Sequence, residues 1–160
     1  MALWQFVFDL IPSSAATVSG VVAARMNRDQ LDAIELNFSQ QTAEAIFERV
    51  GTILSEKQSW APDLRIWGDE KTDDVQISIR GTAIEHVRFR LDVSDLSLPL
   101  AGSICALARE FGCVFATRSG AIIRPHSEAL IRAITQSEAT HFVSDPEGYL
   151  REAIQWDPEP

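Results

Sequence analysis

Arg80, His86, Arg88 and Arg90 lie close together in one short stretch of the chain. A guanidinium offers a fork of N–H donors that matches a carboxylate or a phosphate, and an imidazole beside it can give or take a proton. The spacing places them together. Val75, Ile77 and Ile79 alternate with Gln76, Ser78 and Arg80, and Val87, Phe89, Leu91 and Val93 alternate with His86, Arg88, Arg90 and Asp92. Alternation of period 2 is the mark of a strand with one apolar face, so the polar set, with Arg65 or Trp67 from a preceding strand, is expected on one shared surface. The chemistry expected of Arg80, His86, Arg88 and Arg90 is the binding of a small anion. The competing expectation is that Arg88, Arg90 and Asp92 pair across strands on a solvated face.

A second group is the loop Gly68-Asp69-Glu70-Lys71-Thr72-Asp73-Asp74. The spacing of Asp69, Glu70, Asp73 and Asp74 lacks the alternating order and closing glutamate of a calcium loop, so no metal is expected there. The loop reads either as a solvated hairpin or as an acidic surface that mimics nucleic-acid phosphates for a basic partner. Trp67 stands just before it. An aromatic ringed by charge is a common interface anchor, and the alternative is a core tryptophan near a sheet edge. Trp67, Asp69, Glu70, Asp73 and Asp74 therefore form the partner-binding candidate set.

The remaining reactive residues point to no reaction. His86, His126 and His141 show no His-x-His, His-x-x-x-His or zinc-protease spacing, and neither cysteine sits at a ligand distance from them in sequence. No Gly-x-Ser-x-Gly or glycine-rich phosphate loop occurs. No catalytic residue, metal or cofactor is assigned, and a non-enzymatic role is expected. Glu85 falls on the side of Val87 and Phe89, where burial would raise its pKa unless it reaches water at the strand end. Cys105 and Cys113 lie among apolar neighbours and read as buried reduced thiols, which suits the cytoplasm.

The elements that must position these groups follow from periodicity. Residues 3–11 read as a buried first strand in which Trp4, Phe6, Phe8 and Leu10 alternate, and a signal peptide is not expected, because no basic residue precedes the run and Asp9 interrupts it. Residues 13–38 read mostly as loop, with a helical turn near Gln30–Glu35. Ser39 is an N-cap for a helix with Ala43, Ile46, Phe47, Val50, Ile53 and Leu54 on one face, and Gly51 in it marks a close helix–sheet contact. Leu64–Trp67, Val75–Arg80 and Ile84–Val93 form a meander. A helix after Ser97 carries Leu100, Ile104, Leu107, Ala108 and Phe111, with Gly112 at its end. Cys113–Thr117 and Ala121–Arg124 make a hairpin around Ser119-Gly120. A helix with Leu130, Ile131 and Ile134 follows, then a short one from Ser137. A last helix is capped by Asp145 and Pro146, with Tyr149, Leu150, Ala153 and Ile154 packing inward. Strands grouped in hairpins between helices give an α+β class, mainly an antiparallel sheet (meander plus hairpin) covered by helices. Residues 1–160 read as a single domain, with 153–160 a frayed acidic tail.

The net charge of −9 argues against nonspecific binding to nucleic acid or to an anionic membrane, both of which need clustered Lys and Arg. It suits solubility or electrostatic steering of a basic partner. The charge is uneven: residues 97–126 hold one acid and three bases, and residues 127–160 hold seven acids and two bases. No run approaches the ~20 apolar residues that span a bilayer.

Three stretches carry a resemblance: Ser59-Trp60 with Leu64-Arg65-Ile66-Trp67-Gly68-Asp69, then Phe89-Arg90-Leu91-Asp92-Val93, then Ser137-x-Ala139 with Phe142-Val143-x-Asp145-Pro146 and Leu150. Across residues 59–150 the chain resembles small uncharacterised bacterial proteins that are similar in size and acidity to immunity proteins of toxin systems. The resemblance implies a protein that neutralises a basic toxin or nuclease by binding it, and it transfers no functional residue. The leading expectation is thus a cytoplasmic protein that binds another, basic protein. The alternatives are a small anion- or ligand-binding domain or enzyme on the Arg/His face, and a structural subunit that forms a homo-oligomer.

Overall fold

The computed structural model describes residues 3–148 with 150 and 151. The expected tail 153–160, and the inward packing of Tyr149, Ala153 and Ile154, lie outside the described residues. Nine strands and five α-helices follow in chain order: β1 (Gln5–Pro12), β2 (Thr17–Val18), β3 (Val21–Val22), α1 (Arg28–Asp32), α2 (Gln40–Ile53), β4 (Glu56–Lys57), β5 (Leu64–Gly68), β6 (Asp74–Arg80), β7 (Ala83–Asp92), α3 (Leu98–Glu110), β8 (Cys113–Thr117), β9 (Ile122–Ile123), α4 (Ser127–Thr135) and α5 (Glu138–Ser144). Residues 146–148 are helical again, and Asp145 Oδ1 accepts from Gly148 N at 3.0 Å as an N-cap.

Seven strands make one antiparallel sheet in the order β4-β5-β6-β7-β1-β8-β9. The meander is β5-β6-β7, the hairpin is β8-β9, and β1 joins them. The class is α+β, as expected. Helices α2, α3 and α4 cover one face. Their buried residues, among them Ala43, Ile46, Val50, Ala101, Ile104, Leu107, Leu130 and Ile134, form one core with Phe6, Phe8, Leu10, Trp67, Val75, Ile77, Val87, Phe89, Leu91 and Phe115. Phe8 stands at its centre, 5.2 Å from the stacked Phe89 ring and 5.0 Å from the edge-on Phe115 ring. Each such pair adds about 0.5–1.5 kcal/mol beyond its area.

The expected cap holds: Ser39 Oγ accepts from Thr42 N at 3.1 Å. Ser97 caps α3 in the same way, its Oγ accepting from Leu100 N at 3.3 Å. Gly51 faces the indole of Trp67, where an added Cβ would lie 3.9 Å from Nε1. Residues 13–38 hold more structure than the loop expected. A 3-10 turn at Ser13–Ala16 leads into the β2-β3 hairpin, and Asn27 and Gln30 form a reciprocal capping box at the start of α1. Short strands of two residues lie below the length at which alternation can be read. This segment covers part of the second sheet face, where Ile11, Ala16, Val114 and Ala116 form a small cluster under Val22, Met26, Leu31 and Ile34.

Candidate functional site: the Trp4 corner

The register assigns every candidate side chain to a face. Trp67 pairs with Val75, and Val75 with Phe89, which pairs with Phe8, so this row faces the helices. Trp67 is 1% exposed, stacked on Phe47 at 6.1 Å between ring centroids. That makes it a core residue, and the surface-anchor expectation is corrected: a strand residue opposite two apolar residues points where they point. Arg65 lies on that same side, its guanidinium 4.3 Å from the Phe47 ring centre and 5.0 Å from that of Trp67, bonded through Nε and Nη2 to Glu56 at 2.8 Å. It does not join the polar face. This hydrogen bond holds the Glu56 carboxyl below its ordinary pKa.

The polar face carries the row Gln76–Arg88–Asp9 and, next to it, Asp74–Arg90–Val7. The arginines there are already partnered. Arg88 grips Asp9 through Nε at 2.8 Å and Nη2 at 3.2 Å. Arg90 grips Asp74 in the same bidentate way, with Nε at 2.7 Å, and the Asp74 carboxylate also accepts from Gln76 Nε2 at 3.1 Å. Arg80 sits beyond a register shift between Ser78 and Ile79 and pairs with Glu85 at 2.8 Å. Glu85 therefore reaches an exposed partner rather than the core. So Arg80, His86, Arg88 and Arg90 do not converge as a set, and of the four only His86 has no hydrogen-bond or ion-pair partner among the described residues. The cross-strand pairing expectation describes Arg88 and Arg90, but their partners are Asp9 and Asp74 rather than Asp92.

The acidic loop is tightly built. Gly68 (φ +92°) makes its first turn, where any Cβ would lie 2.3 Å from Asp73 O. Asp69 N donates to Asp73 O at 2.9 Å, Thr72 N to Asp69 O at 3.0 Å, and Lys71 N to Asp69 Oδ1 at 2.9 Å. Its next contacts come from the chain's start. Gln5 Nε2 donates to the carbonyls of Glu70 at 3.2 Å and Thr72 at 2.6 Å, and Trp4 Nε1 donates to the carbonyl between them, Lys71 O, at 3.2 Å. Asp92 N donates to Asp73 Oδ1 at 2.7 Å, and Val93 N to Trp4 O at 2.9 Å. These bonds seat the loop against the start of β1 and the end of β7.

Asp69, Glu70, Asp73 and Asp74 thus have different fates. Asp74 is interior, its side chain 0% exposed, so it leaves the partner-binding set. Glu70 is half-buried and pairs with Lys57 at 3.0 Å. Asp69 is exposed and Asp73 half-buried. Burial pushes the Asp73 carboxyl above the usual aspartate range. The Asp92 N–H opposes this, and the carboxylates of Asp92, Asp95 and Asp74 add to it. The exposed aromatic at this loop is Trp4, at 41%, next to Leu3 at 47%. The first-strand alternation predicts Trp4 buried, but the strand begins one residue later, at Gln5. What sequence reasoning lacked was any sign that the start of the chain reaches this loop, since the contacts span more than sixty residues. Buried Gln5 Oε1 has no hydrogen-bond partner, so the corner is rich in acceptors and poor in donors.

Comparison with protein-family models, curated proteins and solved structures finds no match to this chain. Among the described residues no cluster of His, Cys, Asp or Glu is arranged to hold a metal ion, and no helix is long and apolar enough to cross a membrane.

Proposed function

We propose that this chain works by binding a basic protein at the Trp4 corner, in the manner of an immunity protein that blocks a toxin or nuclease. The observation that carries the reading is the half-exposed Trp4 indole, fixed by its Nε1 bond to Lys71 O beside the carboxylates of Asp69, Asp73 and Asp95. A rigid aromatic anchor loses little entropy on binding, and a ring of unpaired carboxylates accelerates encounter with a basic surface and selects against acidic ones. The net charge of −9 acts in the same direction at longer range. The corner keeps Asp69, Glu70 and Asp73 of the expected set and replaces Trp67 by Trp4.

The test is capture of partners from the source cells, followed by affinity measurements on the captured protein. Trp4→Ala is expected to weaken binding about thirtyfold, the loss of ~2 kcal/mol typical of an interface anchor. Asp69→Lys with Asp95→Lys should slow association, and raising salt from 50 to 500 mM should reduce the wild-type rate toward that of the variant. A captured partner that is acidic, or one whose binding ignores both Trp4→Ala and the charge reversals, overturns the proposal.

A further inference from the structure

On the second face of the sheet, between the polar strand row and the overhanging residues 28–36, lies a groove of about 570 Å³. That volume is within the ~300–1,000 Å³ of small-ligand sites. Its floor is the Asp9–Arg88 pair, with His86 next to Arg88 along β7. Its walls are Arg28 on one side and Arg118 at the end of β8 on the other.

The walls are held rigidly. Residues 24–28 are strapped to the β8-β9 turn: Arg25 Nη2 donates to Ser119 O at 2.7 Å, Met26 N to Gly120 O at 2.8 Å, and Arg28 Nη2 to Arg118 O at 3.2 Å. The approach is so close that a Cβ on Gly120 (φ +92°) would lie 2.1 Å from Met26 O. The bond from Arg28 to the Arg118 carbonyl ties the two walls together.

Charge decides what the groove accepts. Asp9 is taken by Arg88, Glu85 by Arg80, and Asp32 lies 3.8 Å from Arg28. The Arg118 guanidinium and the His86 ring make no hydrogen bond or ion pair among the described residues. Arg88 uses only Nε and Nη2 on Asp9, so its Nη1 donors remain free. With each lining carboxylate opposite an arginine, Glu85 through Arg80 outside the groove, the unmatched charge is that of Arg118, and the unused donors are its guanidinium, Arg88 Nη1 and the protonated nitrogen of His86. Three arginines balance three carboxylates in its lining, in a chain whose net charge is −9. A polyanion is repelled by the rest of the surface, so a small anion fits best. Ile11, Leu31, Ile34 and Ala116 supply an apolar side to the same recess.

We infer that this groove binds a small organic oxyanion, a phosphate or carboxylate on an apolar body, with the charged group held by Arg118, Arg88 and His86. The site is separate from the Trp4 corner and does not depend on any partner. Phenyl phosphate and benzoate are suitable probes, and benzylamine, of like size and opposite charge, is the control. Titration into ¹⁵N-labelled protein should shift the amides of residues 86–88 and 116–119 with saturation by both anions and not by benzylamine. Arg118→Gln, at an exposed position, should weaken phenyl phosphate about tenfold or more, as loss of a charge-assisted hydrogen bond does. Arg124→Gln, the same charge change outside the groove, should leave affinity unchanged. The inference is overturned if no shift occurs up to 20 mM of either anion, if benzylamine binds as well, or if Arg118→Gln and Arg124→Gln behave alike.

Discussion

Replacing Arg90 by methionine tests how the polar face is built. The Asp74 carboxylate is fully enclosed and Arg90 is 17% exposed. Arg90→Met keeps an unbranched apolar stem of similar length and removes both guanidinium bonds. Asp74 is left with the single Gln76 Nε2 contact. A buried carboxylate that loses its partner costs about 3–5 kcal/mol. For a chain of this size that lowers Tm by roughly 6–20 °C. Urea denaturation at pH 7, followed by far-ultraviolet circular dichroism, measures it as a fall in midpoint at constant slope. Two further variants separate lost attraction from stranded charge. Asp74→Asn on the Arg90→Met background removes the charge and keeps an oxygen for Gln76, so more than half of the loss should return. Asp74→Leu with Arg90→Met should come within about 1 kcal/mol of the native chain, because a well-packed apolar pair often matches a buried ion pair. If Arg90→Met costs less than about 1 kcal/mol, or if Asp74→Asn recovers nothing, water reaches the carboxylate and the interior assignment of Asp74 fails.

Two other outcomes follow from the same placements. The Asp73 carboxyl has a folded pKa above its unfolded value, so its ionised form opposes folding above the folded pKa, and that opposition fades as pH falls through it toward the unfolded value near 3.8. Asp73→Asn should therefore add stability at pH 7, about 0.5 kcal/mol once solvent screening of this half-exposed group is allowed for, and the gain should vanish in melts near pH 3.5. Burial pushes the Cys105 thiol up to about 11 and the Cys113 thiol up to about 12, so a thiol-exchange reagent at pH 8 should label neither cysteine in the native state and both in 6 M guanidinium chloride.

The fold was legible wherever one periodic pattern extended over a whole element. Ile46 and Val50 reach the core because α2 repeats at three and four residues, and Val87, Phe89 and Leu91 because β7 repeats at two. Strand order was not legible, since any antiparallel neighbour satisfies the same alternation, and nothing in Gln5–Pro12 alone says that it divides β7 from β8. The site was legible only in part for a related reason. The composition of the acidic loop singled out the loop at the proposed corner, but which carboxylates stay outside depends on register. Asp74 lies opposite Arg90 and is enclosed, while Asp69 lies outside the ladder and is exposed. Trp67 and Trp4 exchange their expected roles because the residue opposite Val75 must face the helices and the residue before Gln5 has no strand to bury it. Trp60, 72% exposed in the β4-β5 connection, gave no signal beyond its turn-forming neighbours.

The two proposed sites are linked by what the internal ion pairs leave over. Arg65, Arg80, Arg88 and Arg90 are each matched within the sheet by Glu56, Glu85, Asp9 and Asp74. These eight charges cancel locally and give the sheet no long-range sign. What remains near β1 is acidic at Trp4, through Asp69, Asp73 and Asp95, and basic at Arg118, which follows the Thr117 that pairs with Phe8. Four residues of strand separate Trp4 from Phe8, roughly 13 Å at 3.3 Å per residue. An interface of standard size, about 800 Å² per partner, centred on Trp4 would extend that far. A basic partner is then attracted on the loop side of β1 and repelled on the β8 side. The proposed corner would therefore orient docking as well as locate it, with the partner's cationic groups turned toward Asp69 and Asp95 and away from Arg118.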